Sequence, residues 1–242
     1  MALLNIFANF RIDSEERFIR MKNSFYSFNN ISADRWVINA RGPYAKGTME
    51  FLHANLNGRL IAHEKCSGEG WFNDTRQMLP DIDGDYVLFW IEDHASIVET
   101  TLLESVIKEM KEKDVDSMWY SWWQYGNLRK RYQGVQLSPG NNIDCFDYTV
   151  ENNNIVQSNG ESFIISAVSI FKSSFFKKLI LADDFRGSDK NTPFDFEKPG
   201  SAAHWLPFKA ALPKQELFAC IDNDHSVKGY CLRARGHVFK KY

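Results

Sequence analysis

The chain has 242 residues, 44% hydrophobic and 25% charged, which suits a globular protein with a sizeable core and excludes a disordered or fibrous one. A formal net charge of −2 argues against general affinity for nucleic acid. No apolar run approaches the ~18 residues of a membrane span. The N-terminus lacks a basic start and a cleavage site, and it reads as a strand instead of a signal peptide.

In chain order, Leu3 to Phe10 is the first predicted strand. Asp13 or Ser14 can cap a helix whose Phe18, Met21, Phe25 and Phe28 recur at helical spacing. Arg35 to Ala40 is a second strand, stopped by Arg41-Gly42-Pro43. Met49, Leu52 and Leu56 mark a helix ended by Asn57-Gly58. Arg59 to His63 is a third strand, and Trp71 to Leu79 a helix closed by Pro80. Tyr86 to Ile91 is a short apolar run of the kind that forms a fully buried strand. A helix follows, with Ser96 and Glu99 as a capping box and Val98, Leu102, Val106 and Met110 along one face. Ser117 to Trp123 is a fifth strand. This alternation implies a mainly parallel central sheet with helices on both faces.

The second half reads as less regular. Gln124 to Asn154 is polar and loop-like, Ser162 to Phe171 a strong strand, and Ser173 to Leu181 a short helix. Asp183 to Pro213 holds four of the seven prolines and reads as a long loop, of the kind that is usually functional. Glu216 to Ile221 is a last strand before a basic tail. With no convincing linker, one domain over 1–242 is expected. The four cysteines, Cys66, Cys145, Cys220 and Cys231, form no CxxC. They read as reduced thiols of an intracellular, cytoplasmic protein.

Glycine-rich phosphate loops are missing. Arg11-Ile-Asp-Ser follows the first strand, and Gly68-Glu-Gly70 lacks a third glycine, so neither the dinucleotide fingerprint nor a P-loop is present. Any nucleotide on this sheet must be held by side chains and a metal. The fourth strand ends in Glu92-Asp93-His94, at the sheet edge where open α/β sheets bind ligands. Carboxylate and imidazole together suit Mn2+ or Mg2+, which can hold a diphosphate. The plainer alternative is a solvated strand end.

An αβ-alternating start without a glycine loop, then an apolar strand, an acidic cluster and a helix, resembles the GT-A fold glycosyltransferases, family-2-like and nucleotide-sugar dependent. In that family a DxD motif binds the donor diphosphate through a divalent metal, and Glu92-Asp93-His94 stands in its place as a variant. The resemblance implies a nucleotide-binding half over 1–125 and an acceptor-binding half over 126–242, with Asp93 as first metal ligand, His94 as second, and Glu92 as either a ribose contact or a support behind the metal ligands. It implies a further metal ligand near the C-terminus: His225 or Asp224, with His237 a weaker candidate. Nucleoside recognition would fall to strand ends: Asn9, Phe10 and Arg11, then Asn39 and Arg41, then His63 and Glu64. Arg11 can pair with phosphate and Asn39 with a base edge. Asp83-Gly84-Asp85 is a literal DxD, but it precedes the strand and reads as a turn.

In inverting members a carboxylate in the late loop deprotonates the acceptor hydroxyl, which is otherwise a poor nucleophile. Glu197, then Asp195, are the candidates in Pro193-Phe-Asp-Phe-Glu-Lys-Pro-Gly200, with Phe194 and Phe196 burying the segment. Asp183-Asp184 is a poorer choice. One face of the aromatic block Trp119 to Tyr125 reads as core, and its C-terminal end, Trp122 to Tyr125, could stack on a sugar ring; the basic tail from Lys228 to Lys241 could touch diphosphate or anionic lipid head groups. The expected partners are a UDP-, GDP- or dTDP-sugar donor and a glycan or lipid-linked acceptor, as in surface polysaccharide synthesis. Two other readings stay open: a nucleotidyltransferase acting on sugar phosphates, and a non-catalytic carbohydrate-binding protein.

Overall fold

The computed structural model describes residues 3–65, 70–118, 127–160, 162–164, 168–182, 192–221 and 231–237. The first strand, β1 (Leu4–Arg11), is buried along its length except at Arg11. Helix α1 (Glu15–Phe28) starts at Ser14, whose side chain accepts from the Arg17 backbone N–H. Glu15 and Glu16 in its first turn oppose the positive end of the helix dipole. Strand β2 (Arg35–Arg41), helix α2 (Ala45–Leu56), strand β3 (Leu60–His63), helix α3 (Trp71–Met78) and strand β4 (Tyr86–Phe89) follow in the expected alternation. Gly42, which turns the chain out of β2, has φ +94°, and a Cβ there would lie 2.6 Å from the Ile12 carbonyl oxygen. Only glycine fits.

Beyond β4 the chain departs from a simple alternation. Residues His94–Ser96 form a short strand, β5, before helix α4 (Thr100–Glu112). The expected capping box is therefore absent. Ser96 lies in β5, where its N–H donates to the Ser27 hydroxyl at 2.9 Å, and Glu99 is an N-cap without a side-chain bond. Strand β6 (Ser117–Met118) begins where expected, and the rest of that predicted strand lies outside the described residues.

The predicted loop at 124–154 is largely structured. It contains α5 (Asn127–Arg131), β7 (Ser138–Pro139), β8 (Ile143–Tyr148) and the start of α6 (Val150–Ser158). The buried Glu109 carboxylate of α4 organises this region, accepting from the Asn141 and Asn142 backbone N–H groups at 2.7 and 2.8 Å. The strand expected over 162–171 shrinks to β9 (Ile170–Lys172), followed by α7 (Ser173–Leu181) as predicted. Ser162 and Ile164 instead tie to Asn153 and to Phe196. The predicted loop to Pro213 holds two 3-10 turns, Pro193–Glu197 and Ser201–Trp205, and a buried strand, β10 (Phe208–Pro213). The last strand, β11, is Phe218–Cys220.

The main sheet runs β3-β2-β1-β4-β9-β6-β10-β8-β7. Strands β9 and β8 run against the other seven, so the sheet is mainly parallel. Strands of the second half interleave with β6 and do not form a separate layer. Among the described residues no helix is long and apolar enough to cross a membrane. The core packs Trp36, Trp90, Phe25 and Phe28 between α1 and the sheet, all fully buried. A two-stranded sheet pairs β5 with β11, setting His94 opposite Cys220.

Candidate active site

The carboxyl ends of β1 and β4 meet at a cavity of about 390 Å3, lined also by Arg17, Arg41, Trp71 and Thr192–Phe194. That volume lies in the range of small-molecule sites, at the sheet edge where α/β folds bind them. Its floor is apolar, formed by Phe10, Trp71, Phe89 and Trp90. Polar groups rim it: Arg11 and Arg41, register partners on β1 and β2, then Arg17, Glu92 and Asp93.

Short-range chemistry fixes these groups. Trp90 donates its indole N–H to the Ser24 hydroxyl at 2.7 Å, and Ser24 in turn donates to the His94 carbonyl. Helix α1 thus clamps both ends of the 90–94 segment. Arg17 donates to the Arg11 carbonyl at 3.0 Å and lies 3.3 Å from the Glu92 carboxylate. Burial pushes the Glu92 carboxyl up to about 7, the Asp93 charge adds to this, and Arg17 opposes it. Burial acts upward on Asp93 as well, but the His94 charge and hydrogen bond outweigh it, and its carboxyl falls below the ordinary value. That bond joins His94 Nδ1 and Asp93 Oδ1 at 2.5 Å.

The Asp93, His94 and Cys220 ligand atoms all lie within 4.8 Å of one another, the one such group among the described residues. A carboxylate, an imidazole and a thiol with this spacing fit a divalent cation.

The cavity gathers Asn9, Phe10, Arg11, Arg41, Glu92 and Asp93 of the donor-site residues expected from the sequence. Asn9 and Asn39 hold the site together from inside. Asn39 Nδ2 donates to Asn9 Oδ1 and to the Lys65 carbonyl, both at 3.0 Å. Asn9 Nδ2 donates to the Trp71 carbonyl at 3.2 Å and Thr75 Oγ1 at 3.0 Å. Asn39 is fully buried, so its amide braces β2 against the Lys65 backbone. Glu64 is exposed and lies outside the cavity lining, and His63 pairs with Asp81 at 2.9 Å.

The Asp83-Gly84-Asp85 turn lies at the opposite end of the strands, where Asn5 Oδ1 accepts from the Asp83 and Gly84 N–H groups. In the late segment Thr192, Pro193 and Phe194 reach the cavity, whereas Asp195 and Glu197 do not line it. Asp195 is buried; its Oδ2 accepts from the Thr192 N–H at 3.2 Å and its Oδ1 pairs with Lys198 at 2.7 Å. Phe196 is buried as expected, but Phe194 is 63% exposed, because the turn is 3-10 and not extended. His237 is exposed. His225, Asp224, Asp183-Asp184, Trp119 to Tyr125 and most of the basic tail lie outside the described residues.

Arg17 and Cys220 were not singled out in the sequence. Arg17 sits in an ordinary amphipathic first turn, and Cys220 acquires meaning only through the β5–β11 pairing.

No family model matches the chain, and no curated protein matches its sequence. Solved structures do match. S. aureus TarS 1–349 superposes with a TM-score of 0.58 at 14% identity, over 89% of this chain and 59% of that one. The same fragment in complex with UDP-GlcNAc gives 0.57 at 12% identity, over 93% and 60%. The mannosyltransferase PcManGT from Pyrobaculum calidifontis, in complex with GDP-Man and Mn2+, gives 0.50 at 10%, over 95% and 59%. The fold is GT-A-like. The chain spans about 60% of the length of these matched chains. In this GT-A-like frame, Glu92 and Asp93 form the turn between β4 and β5, and His94 opens β5.

Proposed function

We propose that the cavity binds a nucleotide-sugar and that the protein transfers its sugar to a hydroxyl of a glycan or lipid-linked acceptor. One observation carries this reading: three arginines and Asp93 converge on a single cavity with an apolar floor at the carboxyl ends of β1, β2 and β4. The floor suits a base and ribose, and the guanidinium groups suit a diphosphate. The complexes of TarS with UDP-GlcNAc and of PcManGT with GDP-Man and Mn2+ support it. The first half of the chain would hold the donor, and the 192–197 turn would face the acceptor.

Arg11, Arg17 and Arg41 hold the diphosphate, with Arg17 kept in place by Glu92. Asp93 and His94 would hold a divalent cation, which supplies positive charge to a departing nucleoside diphosphate. Glu197, partly exposed and three residues past the cavity-lining Phe194, is the base that takes the acceptor proton if the transfer inverts. Asp195 instead fixes the turn from within.

A panel of UDP-, GDP- and dTDP-sugars, with divalent metal and with EDTA, tests the reading through nucleotide binding and release. Binding of at least one, with slow hydrolysis or transfer, is expected. In the same assay Glu197→Gln should leave nucleotide affinity unchanged and lower transfer by at least about 100-fold. Asp195→Asn should lower the melting temperature instead. No binding of any nucleotide would remove the proposal.

A further inference from the structure

The Asp93–His94–Cys220 cluster says more about the cation than a carboxylate and an imidazole alone. His94 and Cys220 are opposed residues on antiparallel β5 and β11, so their side chains leave the same face of this small sheet. They are only 8% and 5% exposed, and Asp93 adjoins them with its ligand oxygen within 4.8 Å of both ligand atoms. The backbone around the trio is fixed from several sides. Ile221 N–H donates to the Asp93 carbonyl at 2.6 Å and Leu232 N–H to the Cys220 carbonyl at 2.8 Å, while Ser24 donates to the His94 carbonyl.

Ligand chemistry sets which ions suit such a place. Mg2+ takes oxygen ligands in octahedral geometry and keeps several waters, and a thiolate is a poor ligand for it. Thiolate, imidazole and carboxylate together form a donor set for Zn2+ or Co2+, and three protein ligands leave a further position open. Asp93 also lines the cavity, whereas His94 and Cys220 do not, so the cluster adjoins the donor site at one residue.

We propose that Cys220 is the third protein ligand of a metal site with Asp93 and His94, and that this site takes Zn2+ or Co2+ in preference to Mg2+. Binding releases the Cys220 thiol proton to solvent as the Sγ–metal bond forms. The inference deepens the donor-site reading by naming the class of cation at that site. It stands or falls without a nucleotide.

Metal-free protein of residues 1–242 is titrated with Co2+ in the absence of nucleotide and followed by absorption. A thiolate-to-cobalt charge-transfer band in the near ultraviolet is expected, displaced by Zn2+ and insensitive to a large excess of Mg2+. Cys220→Ser should abolish the band and weaken Zn2+ binding about 100-fold. Cys66→Ser, Cys145→Ser and Cys231→Ser should each keep it. If Cys220→Ser does not fold, the unmutated protein and those three variants still decide. Cobalt binding without the band, a band lost in any of those three variants, or a band that persists in Cys220→Ser would overturn the assignment, as would no binding. Failure of the donor-site reading would show separately, as absent nucleotide binding by a protein that still gives the band.

Discussion

Replacing Asp93 with alanine is expected to lower metal-dependent turnover of the donor by at least about 100-fold, the size of effect seen when one group that stabilises developing charge is removed. The carboxylate stands at the one point where the cavity and the metal-ligand cluster meet. It is held below its ordinary pKa chiefly by His94 against the opposing effect of burial, which favours the charged form that a cation would meet. The pair is a local contact between adjacent residues at the cavity rim, and the 90–94 segment keeps its clamp to Ser24 without it. The fold should therefore survive. Steady-state nucleotide release, with a thermal melt of the same preparation, checks both parts. Turnover within about threefold of the unmutated protein would place the diphosphate elsewhere.

Trp90→Ala is expected to cost about 3–5 kcal/mol of stability, lowering the melting temperature by roughly 6–20 °C for a chain of this size. Trp90 is fully buried. Its ring meets Phe10 at 4.7 Å, Trp36 at 5.3 Å, Phe28 at 6.2 Å and Phe25 at 6.3 Å between centroids. Removing it opens a cavity between α1 and the sheet. The indole bond to Ser24 goes as well, and Ser24 also holds the His94 carbonyl, so site geometry should loosen together with the core. Trp90→Phe keeps most of the ring contacts and should cost about 1–2 kcal/mol, from the unmade hydrogen bond and lost volume. Calorimetric melts of the two variants measure the difference. Equal melting temperatures for both would mean that the ring is not a keystone.

The first half of the fold was legible because its pattern is local. Phe25 and Phe28 on α1, the Asn57-Gly58 stop and the apolar run at 86–89 each state their element within a few residues. The second half was not, because tertiary contacts decide it. Strand β10 follows Pro207 and ends at Pro213, so it reads as loop, but its burial comes from β6 and β8 on either side. In β8 the alternation is interrupted by Asp144 and Asp147, so its strand character is weak in sequence. The Ser96–Glu99 pattern suggested a cap, yet the pairing of β5 with β11 claimed Ser96 for a strand.

The site shows the same division. Glu92, Asp93 and the strand-end arginines follow from position after a strand. Asn39 lies buried behind the cavity lining, bonded to Asn9 and Lys65, and that bonding requires knowledge of which strands are neighbours. Arg17 and Cys220 lie 75 and 127 residues from Glu92 and Asp93 along the chain, and only the folded chain brings them there.

The central claim is that the Glu92–Asp93 turn faces a donor held across the ends of β1, β2 and β4. A crystal of the protein soaked with UDP and a divalent metal tests it most directly. The account predicts pyrophosphate density in the cavity between Asp93 and the guanidinium groups of Arg11, Arg17 and Arg41, with the uracil over the apolar floor. Ordered UDP bound at any other place, with Asp93 facing empty solvent, would contradict it.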